Sequence, residues 1–454
     1  MWCGPCGEVP TRAIWRSAHQ IQRPSPAILP LGGVMAATIW FCVVVVICLG
    51  MYVVLDGYDL GVGMLTLTER DVKTRRQLIE MVATAWDGNE TWLILLGVTL
   101  FAGLPTAYGV ALPALYVPIV VMLLALVFRG AAIERVSSTV GVPRGWGLAF
   151  AVGSLVAAFA QGVTIGGILS GIAVTNGQFS GGTFDFMTSY AFLTGVTTVV
   201  MYGAAGAAYV QLKTTGALRA RAASLGRLLT LATVVLALAC ATLLRPLTPV
   251  RIGTASRAAT VLAVIAAVAA MAGLASSLWA FGRRPDKRPM IGIVAAEAFG
   301  LMALALLYYP TALPPGLTVD QAKAPAGTLY ILMIGTILSL PVLLFFNWYA
   351  HRVFRGKYRE ASANAALAGS GPVASTAAYN PAQPRPHPTQ RPRTLRWAAN
   401  LMWIVVGTLI AAVSVGIFSK TPTGEVITLV ALVLIVIGGA VVWLRDELRH
   451  ADAA

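Results

Sequence analysis

Long runs of apolar residues recur along the whole chain, separated by short polar segments rich in lysine and arginine. Each run is long enough to cross about 30 Å of hydrocarbon, where backbone polar groups must be satisfied internally. We therefore predict an all-α, polytopic transmembrane helix bundle with about nine core spans and a C-terminal two-span hairpin. The predicted spans are 36–66, 79–104, 113–133, 146–171, 186–210, 226–244, 258–281, 290–309, 328–350, 398–418 and 425–444.

The same pattern divides the chain into four parts. Residues 1–35 precede the first apolar run, and we expect a non-native or disordered extension there, with Met35 as the better start. Residues 36–360 form one continuous membrane domain. Residues 361–397 are rich in Ala, Pro, Ser and Arg, which indicates a flexible cytoplasmic linker. Residues 398–454 hold the extra hairpin and a tail.

Composition and charge fit a membrane protein and argue against nucleic-acid binding. Of the residues, 57% are hydrophobic and 11% charged, and the mean hydropathy is +0.76. The net charge is +15, but 25 of the 33 Lys and Arg residues fall in alternate segments on one side of the predicted membrane. This asymmetry predicts an external N-terminus and a cytoplasmic C-terminus. The 245–257 loop, with three external arginines, is the exception.

Carboxyl groups inside the predicted spans are the candidate functional residues. A carboxylate in a bilayer costs several kcal/mol and usually marks an ion or proton path. Within each of the two N-terminal pairs the carboxyl groups are three residues apart, so they share a helix face. All five lie in the predicted cytoplasmic half, as a proton entry route requires; the alternative is that they cap helices or pair with Arg or Asn89. They are Asp56, Asp59, Asp87, Glu90 and Glu297.

Histidine is missing from the predicted spans, although the chain has four. Membrane enzymes that move electrons through haem usually hold it with buried histidines, so any metal centres should belong to another subunit. Arg129 and Glu134 end the third span, where we expect them to reach the membrane interface. Gln161 lies between small residues and is expected to bridge helices.

At these residues the chain resembles subunit II of the cytochrome bd-type quinol oxidases, in the cyanide-insensitive branch. The similarity spans about residues 36–360 in order. It includes the acidic segments around Asp56 and Asp87, Phe128-Arg129-Gly130, Pro314-Pro315-Gly316-Leu317-Thr318 and Val353-Phe354-Arg355-Gly356-Lys357.

The resemblance implies a multi-pass protein of the bacterial inner membrane, bound to a larger subunit I. That partner would hold haems b, with d as an open alternative, and would pass electrons from quinol to O₂ without proton pumping. This chain would bind no haem itself. Asp87, in the Trp-Asp-Gly-Asn motif, would contribute to proton uptake, and Asp56 and Asp59 match the family's paired acids.

Further partners stay open in the resemblance. Some members hold a structural quinone in subunit II, and many have a small single-span accessory subunit. The terminal hairpin has no counterpart in the usual subunit II, so it is either a fused accessory-like element or a lineage-specific anchor.

Two other functions are compatible with intramembrane acids. One is a proton- or cation-coupled transporter, although the inverted repeats typical of that class are not visible in the sequence. The other is a purely structural partner of subunit I, in which Asp87 does not titrate during turnover.

Overall fold

The computed structural model describes residues 31–139, 144–248, 256–283, 285–353 and 356–357. The expected extension as far as residue 30, the linker and the terminal hairpin lie outside these residues. Twelve α-helices are present in the described part. They are α1 (Leu31–Leu65), α2 (Val72–Ala83), α3 (Trp86–Gly103), α4 (Pro105–Ala114), α5 (Tyr116–Ser137), α6 (Arg144–Leu169), α7 (Ser189–Lys213), α8 (Gly216–Leu247), α9 (Arg257–Ala280), α10 (Arg288–Tyr308), α11 (Val319–Ala322) and α12 (Ala326–Val353).

Eight of the described helices are long and apolar enough to cross a membrane: α1, α5, α6, α7, α8, α9, α10 and α12. The all-α membrane bundle is therefore confirmed. The predicted 79–104 span differs, because the chain breaks at residues 84–85 into α2 and α3. α3 has 18 residues and begins with the polar sequence around Asp87, where free N–H groups and the helix dipole favour a carboxylate.

α1 is the central helix of the bundle. It contacts α3, α6, α7, α10 and α12, and with α7 it is among the most buried of the eight spans. The remaining helices pack largely as antiparallel neighbours, with α5 along α6, α7 along α8 and α9 along α10. Residues of α1 therefore meet side chains from most of the other elements, which makes this helix the place where a site can be assembled.

Two short hairpins close one end of the bundle. β1 (Val174–Thr175) pairs with β2 (Gln178–Phe179), and β3 (Thr311–Leu313) pairs with β4 (Leu317–Thr318). Asn176 and Gly177 join the first two strands with φ of 51° and 74°, as the tight turn of an Asn-Gly hairpin requires. The Ile172 amide donates to the Pro314 carbonyl over 2.9 Å, which ties the two hairpin regions together.

Glycine allows α1 and α7 to cross at backbone contact. A Cβ added to Gly61 would overlap the carbonyl oxygen of Tyr202, and one added to Gly206 would overlap the backbone of Gly61. Small residues at such crossings let membrane helices approach closely. The crossing lies two residues after Asp59, so it fixes the position of the acidic end of α1.

An ion-pair clamp holds the opposite end of the bundle. Asp286, between α9 and α10, accepts from Arg219 of α8 over 2.8 and 2.5 Å and from Lys357 over 2.7 Å. Lys357 also donates to the Thr214 carbonyl. Burial alone would raise the pKa of Asp286, but the hydrogen bonds and charges of Arg219 and Lys357 outweigh it and lower that pKa below 3.8.

Substitution Gly61→Ala tests the helix crossing. We expect a stability loss of about 1–3 kcal/mol, because the added methyl group overpacks a backbone contact. Gly50→Ala is the matched control on the same helix, since nothing lies within 4 Å of a Cβ built there. Thermal unfolding of the detergent-solubilised protein measures the stability of both variants. Equal melting temperatures of Gly61→Ala and wild type would contradict the close backbone contact of α1 and α7 at Gly61.

The clamp predicts a pH-dependent difference between wild type and Asp286→Asn. Because the folded-state pKa of Asp286 is depressed from 3.8, its contribution is complete above that ordinary value and is lost as the pH falls through the folded pKa. Unfolding curves between neutral and acidic pH should therefore show wild type more stable at neutral pH and the two proteins converging in acid. If the difference in stability between wild type and Asp286→Asn stays constant across the pH range, ionisation of Asp286 is not its cause.

Candidate functional site: a buried carboxylate–arginine cluster

Three helices bring four of the polar side chains into one buried cluster. α1 contributes Asp56 and Asp59, one turn apart on the same face; α3 contributes Glu90, and α5 contributes Arg129. Asp56, Asp59 and Arg129 each have 1% or less of their surface exposed, while Glu90 is partly buried. We refer to these four residues as the charge cluster.

Arg129 is the centre of the charge cluster. Its Nη1 donates to Asp56 Oδ1 over 2.6 Å and to Glu90 Oε1 over 2.9 Å. Its Nη2 lies 3.7 Å from Asp59 Oδ2. A planar guanidinium with five donors suits several carboxylates at once, which an ammonium does not.

The expectation that Arg129 reaches the membrane interface is therefore wrong. Its side chain is wholly buried because carboxylates on two other helices replace the water that snorkelling would have supplied. Glu134, one and a half turns further on, is exposed. The pairing of the acids with an arginine across helices, which was the alternative from sequence, describes three of them: Asp56, Asp59 and Glu90.

Asn89 holds the cluster on its other side. Its Nδ2 donates to Asp59 Oδ2 over 2.8 Å and lies 3.1 Å from the hydroxyl of Tyr58. Asn89 is fully buried. The amide thus supplies Asp59 with the short hydrogen bond that the more distant Arg129 does not.

The charge cluster has more negative groups than positive ones. Three carboxyl groups face one guanidinium, so two of them are left to be neutralised by protons or by charge outside the described residues. Asp56 Oδ2 and Asp59 Oδ1 have no hydrogen-bond partner among the described residues. Such atoms have free lone pairs in a buried place, which is what a group that accepts and releases protons needs.

A second polar chain leads away from the cluster. Gln161 of α6 donates to the Tyr52 hydroxyl over 2.6 Å and accepts from the Tyr202 hydroxyl over 2.9 Å. The expectation that Gln161 bridges helices is confirmed, since these tyrosines lie on α1 and α7. Tyr52 lies one turn before Asp56 and interacts with its charge.

Glu297 lies apart from the charge cluster. It is 3% exposed on α10, and neither carboxyl oxygen has a hydrogen-bond partner among the described residues. Tyr202 interacts electrostatically with both Glu297 and Asp56. No hydrogen bond joins Tyr202 to Glu297 among the described residues.

Asp87 occupies a different environment from the other four acids. It stands in the first turn of α3 and its side chain is exposed. Exposed residues continue from it along one face of α3, at a spacing of three to four residues. They are Asp87, Thr91, Ile94, Val98 and Phe101, which we call the α3 stripe.

His351 is a site residue that the sequence analysis missed. Its Nε2 lies 2.9 Å from the Tyr58 hydroxyl, and its Nδ1 lies 2.9 Å from the Asn347 carbonyl oxygen. The predicted span ends at residue 350, one residue before His351, whereas α12 continues to Val353.

No arrangement for a metal ion is found among the described residues, in the sense of three or more grouped His, Cys, Asp or Glu side chains. Both ring nitrogens of His351, the one histidine in the described ranges, already have hydrogen-bond partners. His351 could thus bind a metal or a haem iron only by giving up one of these hydrogen bonds.

Removing the guanidinium tests the cluster as a structural unit. Arg129→Met should destabilise the protein by about 3–5 kcal/mol, because it leaves buried carboxylates without their partner. Arg129→Lys should recover only part of this, since an ammonium does not reproduce the planar fork. The measurement is the thermal stability of the purified protein, with the exposed Arg135 changed to Met as control; equal stability of both Met variants would refute a central role for Arg129.

Comparisons with known proteins agree with this architecture. Residues 36–354 match the family described as cytochrome bd terminal oxidase subunit II. The chain is 34% identical over 206 residues to the cytochrome bd-I ubiquinol oxidase subunit 2 of Escherichia coli K12, covering 43% of this chain and 54% of that protein. It is 33% identical over 190 residues to the Bacillus subtilis cytochrome bd ubiquinol oxidase subunit 2, covering 40% and 55%.

The chain thus aligns with about half the length of these curated relatives. In fold, it is similar to a chain of the bd oxidase structure from Geobacillus thermodenitrificans, with a TM-score of 0.60 at 17% identity, covering 70% of this chain and 99% of that one. On the family match over most of its length, the protein belongs to the cytochrome bd terminal oxidase subunit II family.

Proposed function

We propose that this chain is the non-haem subunit of a bd-type quinol:O₂ oxidoreductase and that it provides a proton-uptake route from the cytoplasm. Family membership supports the first part, together with the relatives from Escherichia coli and Bacillus subtilis, which are ubiquinol oxidase subunits. The observation that carries the second part is the charge cluster, in which three carboxyl groups surround one buried guanidinium.

The charge balance of the cluster favours proton handling over a purely structural role. A structural ion pair is best served by matched charges, because an unpaired buried charge is costly. Here two carboxyl groups exceed the fixed positive charge, and two of their oxygens lack partners among the described residues. A group that gains and loses protons during turnover resolves this excess without a resident metal ion.

The route we propose has its core at Asp56, Asp59 and Glu90 and an extension to Glu297. The hydroxyls of Tyr52 and Tyr202 and the amide of Gln161 line the extension. Of the five candidate acids, Asp87 is the one with an exposed side chain. We propose that it connects the cluster, through Glu90 one turn away, with the partner subunit.

The α3 stripe is the proposed contact with the haem-bearing subunit I. A carboxylate facing lipid is costly, so the exposed Asp87 indicates that protein rather than hydrocarbon covers this face. The apolar part of the stripe, from Ile94 (68% exposed) to Phe101 (63%), offers a continuous surface for packing. We propose that the haems lie in that partner.

The proposed membrane orientation follows from charge. Basic residues are concentrated at the end of the bundle that carries the Asp286 clamp, which we place in the cytoplasm of a bacterial cell with the membrane domain in its inner membrane. The C-terminal end of α1 lies at the same side. The charge cluster would therefore be nearer to the cytoplasm, the source of protons for reduction of O₂ to water.

Asparagine variants in the purified complex test the route. We expect Asp59→Asn and Asp87→Asn to keep the haem spectrum and to slow quinol-driven O₂ consumption per haem, by up to about a hundredfold for the loss of a proton-transfer group. Glu134→Gln, an exposed carboxyl on α5, is the control and should behave as wild type.

Each outcome of this experiment has a definite meaning. Normal turnover of Asp59→Asn with a full haem complement would overturn the route through the cluster. Normal turnover of Asp87→Asn alone would remove Asp87 from it and leave the cluster as the proton carrier. Failure of any haem protein to co-purify with the tagged wild type would overturn the oxidase assignment itself.

A further inference from the structure

A chain of hydrogen bonds runs from the C-terminal end of α12 into the charge cluster. His351 Nε2 and the Tyr58 hydroxyl are 2.9 Å apart. Asn89 Nδ2 lies 3.1 Å from the same hydroxyl and 2.8 Å from Asp59 Oδ2. Four residues on three helices thus connect an imidazole near the end of the bundle with a wholly buried carboxyl group.

The direction of these hydrogen bonds is fixed by the partners. The Asn347 carbonyl oxygen only accepts, so His351 Nδ1, 2.9 Å away, must carry a hydrogen. In the neutral ring Nε2 then has a lone pair and accepts from the Tyr58 hydroxyl. The oxygen of Tyr58 is left to accept from Asn89, whose other N–H donates to Asp59.

This series of hydrogen bonds does not carry protons through Asn89. A side-chain amide nitrogen donates to both Tyr58 and Asp59 and has no lone pair with which to take up a proton. A change at one end of the series therefore affects the other end only by reorienting the hydrogen-bond donors and acceptors between them. A change at His351 changes how Asn89 is held, and Asn89 supplies the short hydrogen bond to Asp59.

We propose that His351 is a proton-sensitive positioning residue, which acts through Tyr58 and Asn89 on the hydrogen bonding of Asp59. The inference rests on the proposed proton route. When Nε2 takes a proton from water, it becomes a donor to Tyr58. The Tyr58 oxygen has two lone pairs and can accept from both His351 and Asn89, but its own hydrogen loses the only acceptor it has among the described residues. The hydroxyl must then rotate away from His351, which changes the lone pair that faces Asn89 and so the position of Asn89 against Asp59.

Charges around the imidazole act in both directions. On α1 it faces Tyr58 and, behind it, Asp59; on α3 the charged residues that flank Asn89 are Asp87 and Glu90. On α7 the ring of Tyr209 stacks on Tyr58 at 4.5 Å, and Lys213 interacts with His351 electrostatically. Arg352 follows on its own helix. Removal of the ring from water has the largest influence and favours the neutral ring, as does the charge of Lys213, whereas the hydrogen bond to the Asn347 carbonyl favours the protonated ring.

The test uses the purified oxidase complex and the pH profile of O₂ consumption per haem. His351→Gln keeps a group that hydrogen-bonds Tyr58 but does not titrate, and His351→Phe removes the contact. We expect wild type to show an inflection at or below about pH 6.5, the ordinary value for an imidazole, because removal of the ring from water disfavours its charged form, and His351→Gln to lose it. His351→Phe should lower turnover about fivefold at all pH values, the factor that one hydrogen bond represents.

Two further variants make the test specific. Tyr58→Phe leaves His351 in place but removes the hydroxyl that links it to Asn89, so it should also abolish the inflection. Tyr349→Phe is the matched control, because Tyr349 lies on α12 and is 49% exposed; it should keep the wild-type profile. Haem content measured on each variant shows whether the complex has assembled.

An inflection that persists in His351→Gln or Tyr58→Phe overturns the inference. If Asp59→Asn slows turnover while the His351 variants match wild type throughout, the proton route stands and the role of His351 fails. If Asp59→Asn has normal turnover with full haem content, the proton route itself fails. Should His351→Phe not assemble, His351→Gln and Tyr58→Phe decide the question.

Discussion

The burial of one guanidinium among three carboxyl groups is the interaction on which the architecture around α1 depends. Arg129 connects α5 with α1 and α3, and the helix that carries two of the acids is the one that contacts most of the bundle. Taking these charges out of water costs several kcal/mol per ion, so the arrangement persists only because each helix places its polar group at the same depth. Packing and charge therefore specify the same geometry.

Much of this fold can be predicted from the sequence because a lipid environment allows the backbone few structures. Apolar runs must be helices in lipid, and the predicted spans correspond closely to the observed helices, such as 146–171 with α6 and 290–309 with α10. The exception is 79–104, where polar residues around Asp87 begin a new helix rather than interrupt an existing one. Hydropathy averages over such a boundary and so does not locate it.

The site was predictable in its parts but not in its assembly. The residue type and position of Asp56, Asp59 and Glu90 marked them as unusual, since carboxyl groups inside apolar runs are rare. Their partner was not identified, because an arginine near a span end usually reaches the interface and only tertiary packing shows that Arg129 turns inwards. His351 was not identified either, because it lies one residue beyond the predicted end of its span.

The close crossing of α1 and α7 at Gly61 and Gly206 has a consequence for how the cluster can respond to a change in charge. A helix whose backbone touches its neighbour cannot rotate or slide without separating from it, and Asp59 is only two residues from the contact. The proposed proton transfers would then be accompanied by changes in side-chain torsions, such as those of Asn89 and Tyr58, and not by movement of the α1 backbone. A small rearrangement of this kind favours fast proton transfer over a large conformational change.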